Sequence, residues 1–122
     1  EETIAGPIDG TVEILRNIKE SGHRLYALTN WSAESFPIAK KKFEFLDWFQ
    51  GIVVSGVEMT RKPFPEFYHI LFDRYAVVPG RSVFIDDNMA NITAAKGLGL
   101  NVIHFKSPEQ LRIDLRNFGI TA

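Results

Sequence analysis

Residues 82–92 read Ser-Val-Phe-Ile-Asp-Asp-Asn-Met-Ala-Asn-Ile, an apolar run that ends abruptly in two adjacent carboxylates. Residues 83–85 predict a short, fully buried strand, and apolar residues then recur at helical spacing from Met89 onward. Asp86 and Asp87 therefore fall in a strand-to-helix turn. Turns of this kind are where open parallel sheets bind their ligands.

The acid pair has a purely structural interpretation and a functional one. Either Asp86 or Asp87 can cap the helix that follows, because aspartate is a favourable N-cap residue. A cap uses only one of them, and the second carboxylate is repelled by the first. A bound cation is the usual way to stabilise such a pair.

Composition and charge limit the classes of protein to consider. The chain has 122 residues, 45% of them apolar, which is enough for one domain with one hydrophobic core. A net charge of −1 disfavours a nucleic-acid partner, and no stretch is long and apolar enough for a membrane span. We expect a small-molecule partner, with neither nucleic acid nor membrane.

Cysteine content and the first residues bear on localisation. The chain has no cysteine, so disulfides are impossible and a reducing compartment is the default. Residues 1–7 lack the basic and apolar regions of a signal peptide. The expected localisation is therefore cytoplasmic.

Apolar runs alternate with helical patterns along the chain. Val12, Leu15 and Ile18 predict an amphipathic first helix, and an aromatic-rich segment over 34–49 predicts another. The pattern continues as strand and helix pairs, which favours one α/β domain over 1–122 with a mainly parallel sheet covered on both faces. Four strands are predicted, near 24–29, 51–55, 82–86 and 101–105.

Polar residues follow three of these strands. The strand near residues 24–29 ends in Thr29-Asn30, and Lys62 lies in a proline-rich loop after the strand near 51–55. Carboxyl ends of parallel strands converge on one edge of a sheet, so these groups should approach the acid pair. A hydroxyl, an amide, a lysine and a pair of carboxylates together suit a phosphate group and Mg²⁺.

These residues carry a resemblance to a known family. Residues 25–30, then Lys62-Pro63-x-Pro65, then residues 84–87 with Asn91 resemble the second, third and fourth motifs of the haloacid dehalogenase superfamily. The resemblance covers nearly the whole chain and implies a Rossmann-like three-layer sandwich. Receiver domains also combine acids, threonine and lysine, but their acid pair comes first along the chain.

The resemblance assigns roles to the substrate-binding side. It implies that Thr29 binds an oxygen of the transferring phosphoryl group and that Asn30 has an adjacent role. It implies that Lys62 neutralises the charge of the phosphate and of the nucleophile. Thr29 and Lys62 are accordingly candidate catalytic as well as substrate-binding residues.

The fourth motif supplies the candidate metal site. By resemblance Asp87 is favoured as the direct or water-mediated Mg²⁺ ligand, and Asp86 as a catalytic residue supporting Lys62 or the metal. Asn91 is a supporting residue that completes the loop. Local geometry agrees with this division, because Asp87 and Asn91 are four residues apart and can share a helix face.

The acid pair also separates two branches of the family. Dehalogenases displace halide without metal, and their fourth motif typically has serine and asparagine before a single acid. The pair in this chain resembles instead the Mg²⁺-dependent phosphatases, which favours phosphomonoester hydrolysis. Two alternatives remain open, a non-catalytic module that binds phosphate and metal, and a metal-independent 2-haloacid dehalogenase.

The family's first motif, an Asp-x-Asp that carries the nucleophile, has no match in this chain. Asp9 resembles its tail, but Pro7 stands two residues earlier and no apolar strand leads into it, so Asp9 is interpreted as a turn or cap residue. We expect the chain to be the C-terminal part of a larger hydrolase, inactive by itself, with nucleophile and cap domain supplied elsewhere.

A missing first-motif strand has a structural consequence. In the family that strand occupies the middle of the sheet, so its loss leaves a gap between the strands at Leu25 and Val83. Each would then expose unpaired backbone groups. The expected remedies are the missing N-terminal segment, another copy of the chain, or a sheet that closes differently.

Histidine is the remaining metal-binding residue type. His23, His69 and His104 fall in three different elements without metal-ligand spacing. They are interpreted as structural or surface residues.

Overall fold

The computed structural model describes residues 9–29 and 47–120. In chain order its elements are α1 (Asp9–Glu20), β1 (Tyr26–Thr29), β2 (Gly51–Val54), α2 (Ser55–Glu58), α3 (Pro65–Tyr75), a 3₁₀ turn (Pro79–Arg81), β3 (Val83–Asp86), α4 (Met89–Gly97), β4 (Asn101–His104) and α5 (Pro108–Asn117).

Each of these strands lies inside a range expected from the sequence. The helix expected over 34–49 falls largely outside the described residues. Helix α2 was not expected from the sequence, and the chain turns into it directly after Val54. The fold is an alternation of parallel strands and helices.

The described strands form two separate parallel pairs. Strand β1 pairs with β2, from Tyr26 opposite Gly51 to Thr29 opposite Val54. Strand β3 pairs with β4, from Val83 opposite Asn101 to Asp86 opposite His104. Within residues 9–29 and 47–120 no strand joins β1 to β3, so the described sheet is interrupted between them.

Hydrophobic side chains form one cluster on each side of the strands. The first cluster packs helices α3 and α4 against the strands, and its buried members are Leu28, Val53, Phe67, Tyr68, Leu71, Ala95 and Leu100. The second packs α1 and α5 against the opposite side, and its buried members are Ile14, Ile18, Leu25, Ile103, Leu111 and Leu115. Helices therefore cover both faces, as the apolar strands required.

Local signals explain where the helices begin. Helix α5 starts with a capping box, in which the Ser107 hydroxyl accepts from the Gln110 backbone and the Gln110 side chain accepts from the Ser107 backbone. Helix α4 is capped by Asn88, whose side chain accepts from the N–H groups of Ala90 and Asn91. The N-cap of α4 is therefore neither Asp86 nor Asp87, and the purely structural interpretation of the acid pair as a cap is wrong.

An ion pair joins α2 to α3. The guanidinium of Arg74 donates to both carboxylate oxygens of Glu58, at 2.8 and 2.9 Å. These hydrogen bonds lower the pKa of Glu58. The pair holds the short helix α2 in place just before the turn that carries Lys62.

No helix in the described ranges has the length and apolar character that crossing a bilayer requires.

Candidate active site

A buried ion pair lies at the carboxyl end of β3. Lys62 Nζ donates to Asp86 Oδ2 at 2.8 Å, and the two side chains are only 1% and 0% exposed. Lys62 comes from the turn before α3, 24 residues earlier in the chain. Burying either charge alone is strongly unfavourable, so each group makes the burial of the other possible. The predicted convergence of the lysine loop on the acid pair is therefore present in the structure.

Asp86 makes two further hydrogen bonds. Its Oδ1 accepts from the backbone N–H of Asn88 at 2.9 Å, and its Oδ2 also accepts from Asn91 Nδ2 at 3.2 Å. Both carboxylate oxygens are thus engaged by groups of the protein. These contacts define the path of the loop from β3 into α4, and they bring the Asn91 side chain against Asp86.

Asp87 has a different environment from its neighbour. Its side chain is half-buried at the start of the loop. Burial raises the pKa of the Asp87 carboxyl, and the nearby carboxyl of Asp86 raises it further. The charged form of Asp87 is therefore less favourable in the folded protein than in water. A cation placed against it would reverse that preference.

Tyr68 supports the same loop from helix α3. Its hydroxyl donates to the backbone carbonyl of Asn91 at 2.9 Å, and its side chain is fully buried. Its ring packs edge-on against Phe84 at 5.6 Å between centroids, and Lys62 Nζ lies 5.9 Å from the centroid of the same Phe84 ring. Tyr68 was not among the site residues expected from the sequence. The sequence indicates its role only by placing a tyrosine on the apolar face of a helix, where a buried hydroxyl needs a hydrogen-bond partner.

His104, on strand β4, contacts the loop between β3 and α4. This loop carries the acid pair and is called the acid loop below. Its Nε2 lies 3.0 Å from the backbone carbonyl oxygen of Asp87. The backbone carbonyl of His104 in turn accepts from Gln110 Nε2 at 3.1 Å, which connects the strand end to the capping box of α5. His104 was interpreted only as a structural or surface residue, and the structure gives it a defined contact with the acid loop.

We expect His104→Phe to destabilise the protein by about 1 kcal/mol, because it removes the hydrogen-bond donor to the Asp87 carbonyl while keeping a ring. His104→Gln, which retains a side-chain N–H, should lose less. Urea unfolding at neutral pH measures both, and the exposed His69→Phe serves as the control, expected within about 0.5 kcal/mol of the parent. Equal losses for His69→Phe and His104→Phe would contradict the assigned contact.

The threonine side of the site is described only in part. Thr29 is the last residue of β1 and pairs with Val54, so its backbone lies at the carboxyl end of a strand as expected. Its side chain and all of Asn30 lie outside the described part of the chain. The structure therefore brings together Lys62, Asp86 and Asn91 with Asp87 beside them, and the roles of Thr29 and Asn30 stay predictions.

The described residues supply part of what Mg²⁺ requires. No group of three or more His, Cys, Asp or Glu side chains within residues 9–29 and 47–120 is arranged to hold a metal ion. Mg²⁺ is commonly bound by one or two carboxylates, with waters and substrate phosphate completing its coordination. Asp87 supplies one such carboxylate, so the described residues fit one side of a magnesium site.

Comparison with known proteins identifies the family. The family model described as haloacid dehalogenase-like hydrolase matches residues 2–105. The chain belongs to the haloacid dehalogenase-like hydrolase family. The match includes Thr29, Lys62 and the acid pair, so the resemblance drawn from those residues is confirmed.

Two curated relatives show how much of a family member's length the chain spans. A sesquiterpene phosphatase, astK, from Aspergillus oryzae is 30% identical over 103 residues, which are 84% of this chain and 53% of that protein. Flavin mononucleotide hydrolase 1 from Arabidopsis thaliana is 28% identical over 113 residues, which are 93% of this chain and 46% of that protein. The chain thus spans about half the length of these relatives.

Solved structures confirm the fold. The HAD hydrolase YfnB from Bacillus subtilis, solved with bound magnesium, superimposes with a TM-score of 0.71 at 22% identity, covering 84% of this chain and 48% of that one. The expected α/β, Rossmann-like architecture with parallel strands is confirmed by this likeness.

Proposed function

We propose that the 122 residues form part of a Mg²⁺-dependent phosphomonoesterase that works through an aspartyl-phosphate. The observation that supports this most directly is the buried Lys62–Asp86 pair directly before a half-buried Asp87, whose pKa is raised by burial. Two relatives of the chain are named for hydrolysis of phosphate esters, a sesquiterpene phosphatase and a flavin mononucleotide hydrolase. The shared chemical class is a small phosphate monoester.

Each residue of the site has a proposed task. Lys62 holds a positive charge under the acid loop, where it favours an anionic phosphoryl group and an anionic nucleophile. Asp86 pairs with that ammonium and orients it, and Asn91 and Asn88 keep Asp86 in place. Thr29, at the end of β1, is proposed to donate its hydroxyl to a phosphoryl oxygen, with Asn30 beside it.

Asp87 is the residue proposed to hold Mg²⁺. Both oxygens of Asp86 already accept hydrogen bonds from the protein, which leaves Asp87 as the better candidate of the pair. When bound, Mg²⁺ would neutralise charge on the phosphoryl oxygens. The nucleophilic aspartate is proposed to lie in polypeptide outside these residues, because no Asp-x-Asp motif follows an apolar strand anywhere in the chain.

The test measures phosphate release from an aryl phosphate. A longer form of the protein, extended at its amino end through an Asp-x-Asp segment, should hydrolyse p-nitrophenyl phosphate with Mg²⁺ and lose that activity in EDTA. The 122-residue chain by itself should release none. Turnover by the 122 residues alone would refute the placement of the nucleophile outside them.

Two other experimental results would indicate a different function. Halide release from a 2-haloacid in the presence of EDTA would identify a dehalogenase instead. Calorimetric binding of phosphate and Mg²⁺ by the longer form without any turnover would identify a binding module.

A further inference from the structure

Two exposed apolar side chains lie close along the chain to the buried ion pair. Phe64 is the N-cap residue of α3 and comes two residues after Lys62. Met89 is the first residue of α4 and comes three residues after Asp86. Both helices start at the carboxyl edge of the strands, so both side chains belong to the edge that carries the candidate active site. Phe64 and Met89 are called the apolar rim below.

Contacts between the two helices bring the apolar rim together. Tyr68, in the first turn of α3, donates its hydroxyl to the backbone carbonyl of Asn91, in the first turn of α4, at 2.9 Å. Lys62 and Asp86, which precede the two helices, are joined at 2.8 Å. The amino-terminal ends of α3 and α4 are therefore neighbours, and the apolar rim borders one continuous stretch of surface beside the ion pair.

The organic group of a bound phosphate ester has to extend along this surface. Lys62 and Asp86 are only 1% and 0% exposed, and Tyr68 and Asn91, which support the acid loop, are buried as well. An organic group cannot pass between side chains packed in this way. A phosphoryl group placed beside Lys62 and Asp87 therefore directs its ester oxygen outward, and the group attached to that oxygen passes over the apolar rim.

The chemistry of the rim is that of a small-molecule site. Such sites are lined mostly by apolar side chains, and a few charged groups fix the orientation of the ligand. Phe64 is 47% exposed and Met89 is 53% exposed, so each presents a large apolar area next to the charged groups. Arg61 lies over the Phe64 ring at 5.2 Å, a cation–π contact that holds the ring beside the Lys62 turn. Methionine adapts its shape to different apolar ligands.

We propose that Phe64 and Met89 determine substrate specificity by contacting the organic group of the ester, and that this group is apolar where it joins the phosphate. The inference rests on the phosphatase proposed above and names the substrate class of that same site. The class is an alkyl or aryl phosphate, as opposed to the phosphate of a sugar or another polyol. Hydroxyls placed against the rim would lose hydrogen bonds to water without gaining partners. An alkyl chain loses none and removes apolar surface from water.

Three phosphate monoesters test this preference in the presence of Mg²⁺. Pentyl phosphate and glycerol phosphate carry organic groups with equal numbers of non-hydrogen atoms, so they differ in polarity more than in size, and methyl phosphate is the reference. Full burial of one methylene strengthens binding about fourfold, and contact on one side strengthens it about twofold. Pentyl phosphate should therefore bind about tenfold more tightly than either of the other two esters.

The methionines of the protein provide the readout, because the chain has only Met59 and Met89. In protein with isotope-labelled methionine methyl groups, pentyl phosphate should shift the NMR signal of Met89 and leave that of Met59 in place. Met59 directly follows Glu58, which pairs with Arg74 in the last turn of α3, at the opposite end of that helix from Phe64. Since Met59 is the more exposed of the two, it also detects non-specific adsorption of the alkyl chain.

Substitutions test the two rim residues directly. Phe64→Ser and Met89→Gln should each reduce the preference for pentyl over methyl phosphate to about threefold, because each removes about half of the apolar contact. The matched controls are Phe118→Ser, at the carboxyl-terminal end of α5, and Met59→Gln, which change exposed side chains of the same types. Both controls should keep the full preference. The titration of the unsubstituted protein keeps the test valid if a variant fails to fold.

Four results would overturn the inference. They are equal affinity for the three esters, a Met59 shift as large as that of Met89, the same Met89 shift with pentanol, and a Met89 signal that changes when the protein alone is diluted. The last result would show that a second copy of the chain covers the rim. Equal binding of the three esters would leave the proposed phosphatase standing and remove only its apolar specificity. Binding of none of them would remove the phosphate site, and the proposed function would fail together with the inference.

Discussion

Lys62→Met should destabilise the folded protein by about 3–5 kcal/mol, because it leaves the buried carboxylate of Asp86 without its counter-charge. Methionine keeps a long apolar side chain in place of the lysine stem, so the cost is chiefly electrostatic. A loss of that size is a large fraction of the ~5–15 kcal/mol that stabilises an ordinary domain. Urea unfolding followed by circular dichroism at neutral pH measures it.

A second substitution separates charge from packing. Asp86→Asn keeps an oxygen that can accept from the Asn88 N–H but removes the negative charge. The double variant Lys62→Met/Asp86→Asn should therefore be more stable than Lys62→Met, with an interaction energy of about 1–3 kcal/mol. Lys96→Met, at an exposed position on α4, is the control and should change stability by no more than about 0.5 kcal/mol. A loss for Lys62→Met no larger than that of this control would show that the pair is not needed for folding.

The strands were predictable from local sequence, and the burial of Lys62 was not. Residues 83–85 are a continuous apolar run between turn signals, which is enough to place a strand. The expected full burial of that strand was wrong, because its three apolar residues are only half-buried in the structure. The prolines around Lys62 indicated that its backbone was held in position, but lysine is seldom fully buried without a partner. Its 1% exposure depends on a carboxylate 24 residues away, and local patterns carry no information about such a distance.

The acid loop was likewise predictable from the sequence only in part. Its place between strand and helix followed from the sequence, whereas the choice of Asn88 over Asp86 as the N-cap of α4 depends on tertiary contacts. Asp86 is held by Lys62 and Asn91, and Asn88, directly before the first helical residue Met89, caps the helix. The contacts of Tyr68 and His104 with the loop also require distant elements to pack together.

The interruption between β1 and β3 could be anticipated only through family resemblance. Each strand is short and apolar, and nothing within either one states which neighbour it pairs with. Pairing is decided by the order of strands in the sheet, which depends on the whole fold. The two strand edges that face the interruption were therefore expected from the family's strand order and not from the strands themselves.

Asp87→Asn should separate catalysis from folding. In the longer form of the protein we expect it to lower Mg²⁺-dependent hydrolysis of p-nitrophenyl phosphate by about 10²-fold or more, because it removes the charge proposed to hold the metal. Asp73→Asn, which neutralises an exposed acid on α3, is the matched control and should leave turnover unchanged. Undiminished activity in Asp87→Asn would exclude Asp87 as the essential ligand.

The stability of the same variant should move in the opposite direction from that of Lys62→Met. Burial raises the pKa of Asp87 above the ordinary value of 3.8, so without metal its ionisation opposes folding. The folded protein binds the proton more tightly, and stability therefore falls as pH rises from the ordinary value through the raised one. At neutral pH and without Mg²⁺, Asp87→Asn should be as stable as the parent or more stable in urea unfolding. A large loss of stability would mean that Asp87 serves the fold itself, because a residue kept for metal binding is expected to cost stability until the metal is present.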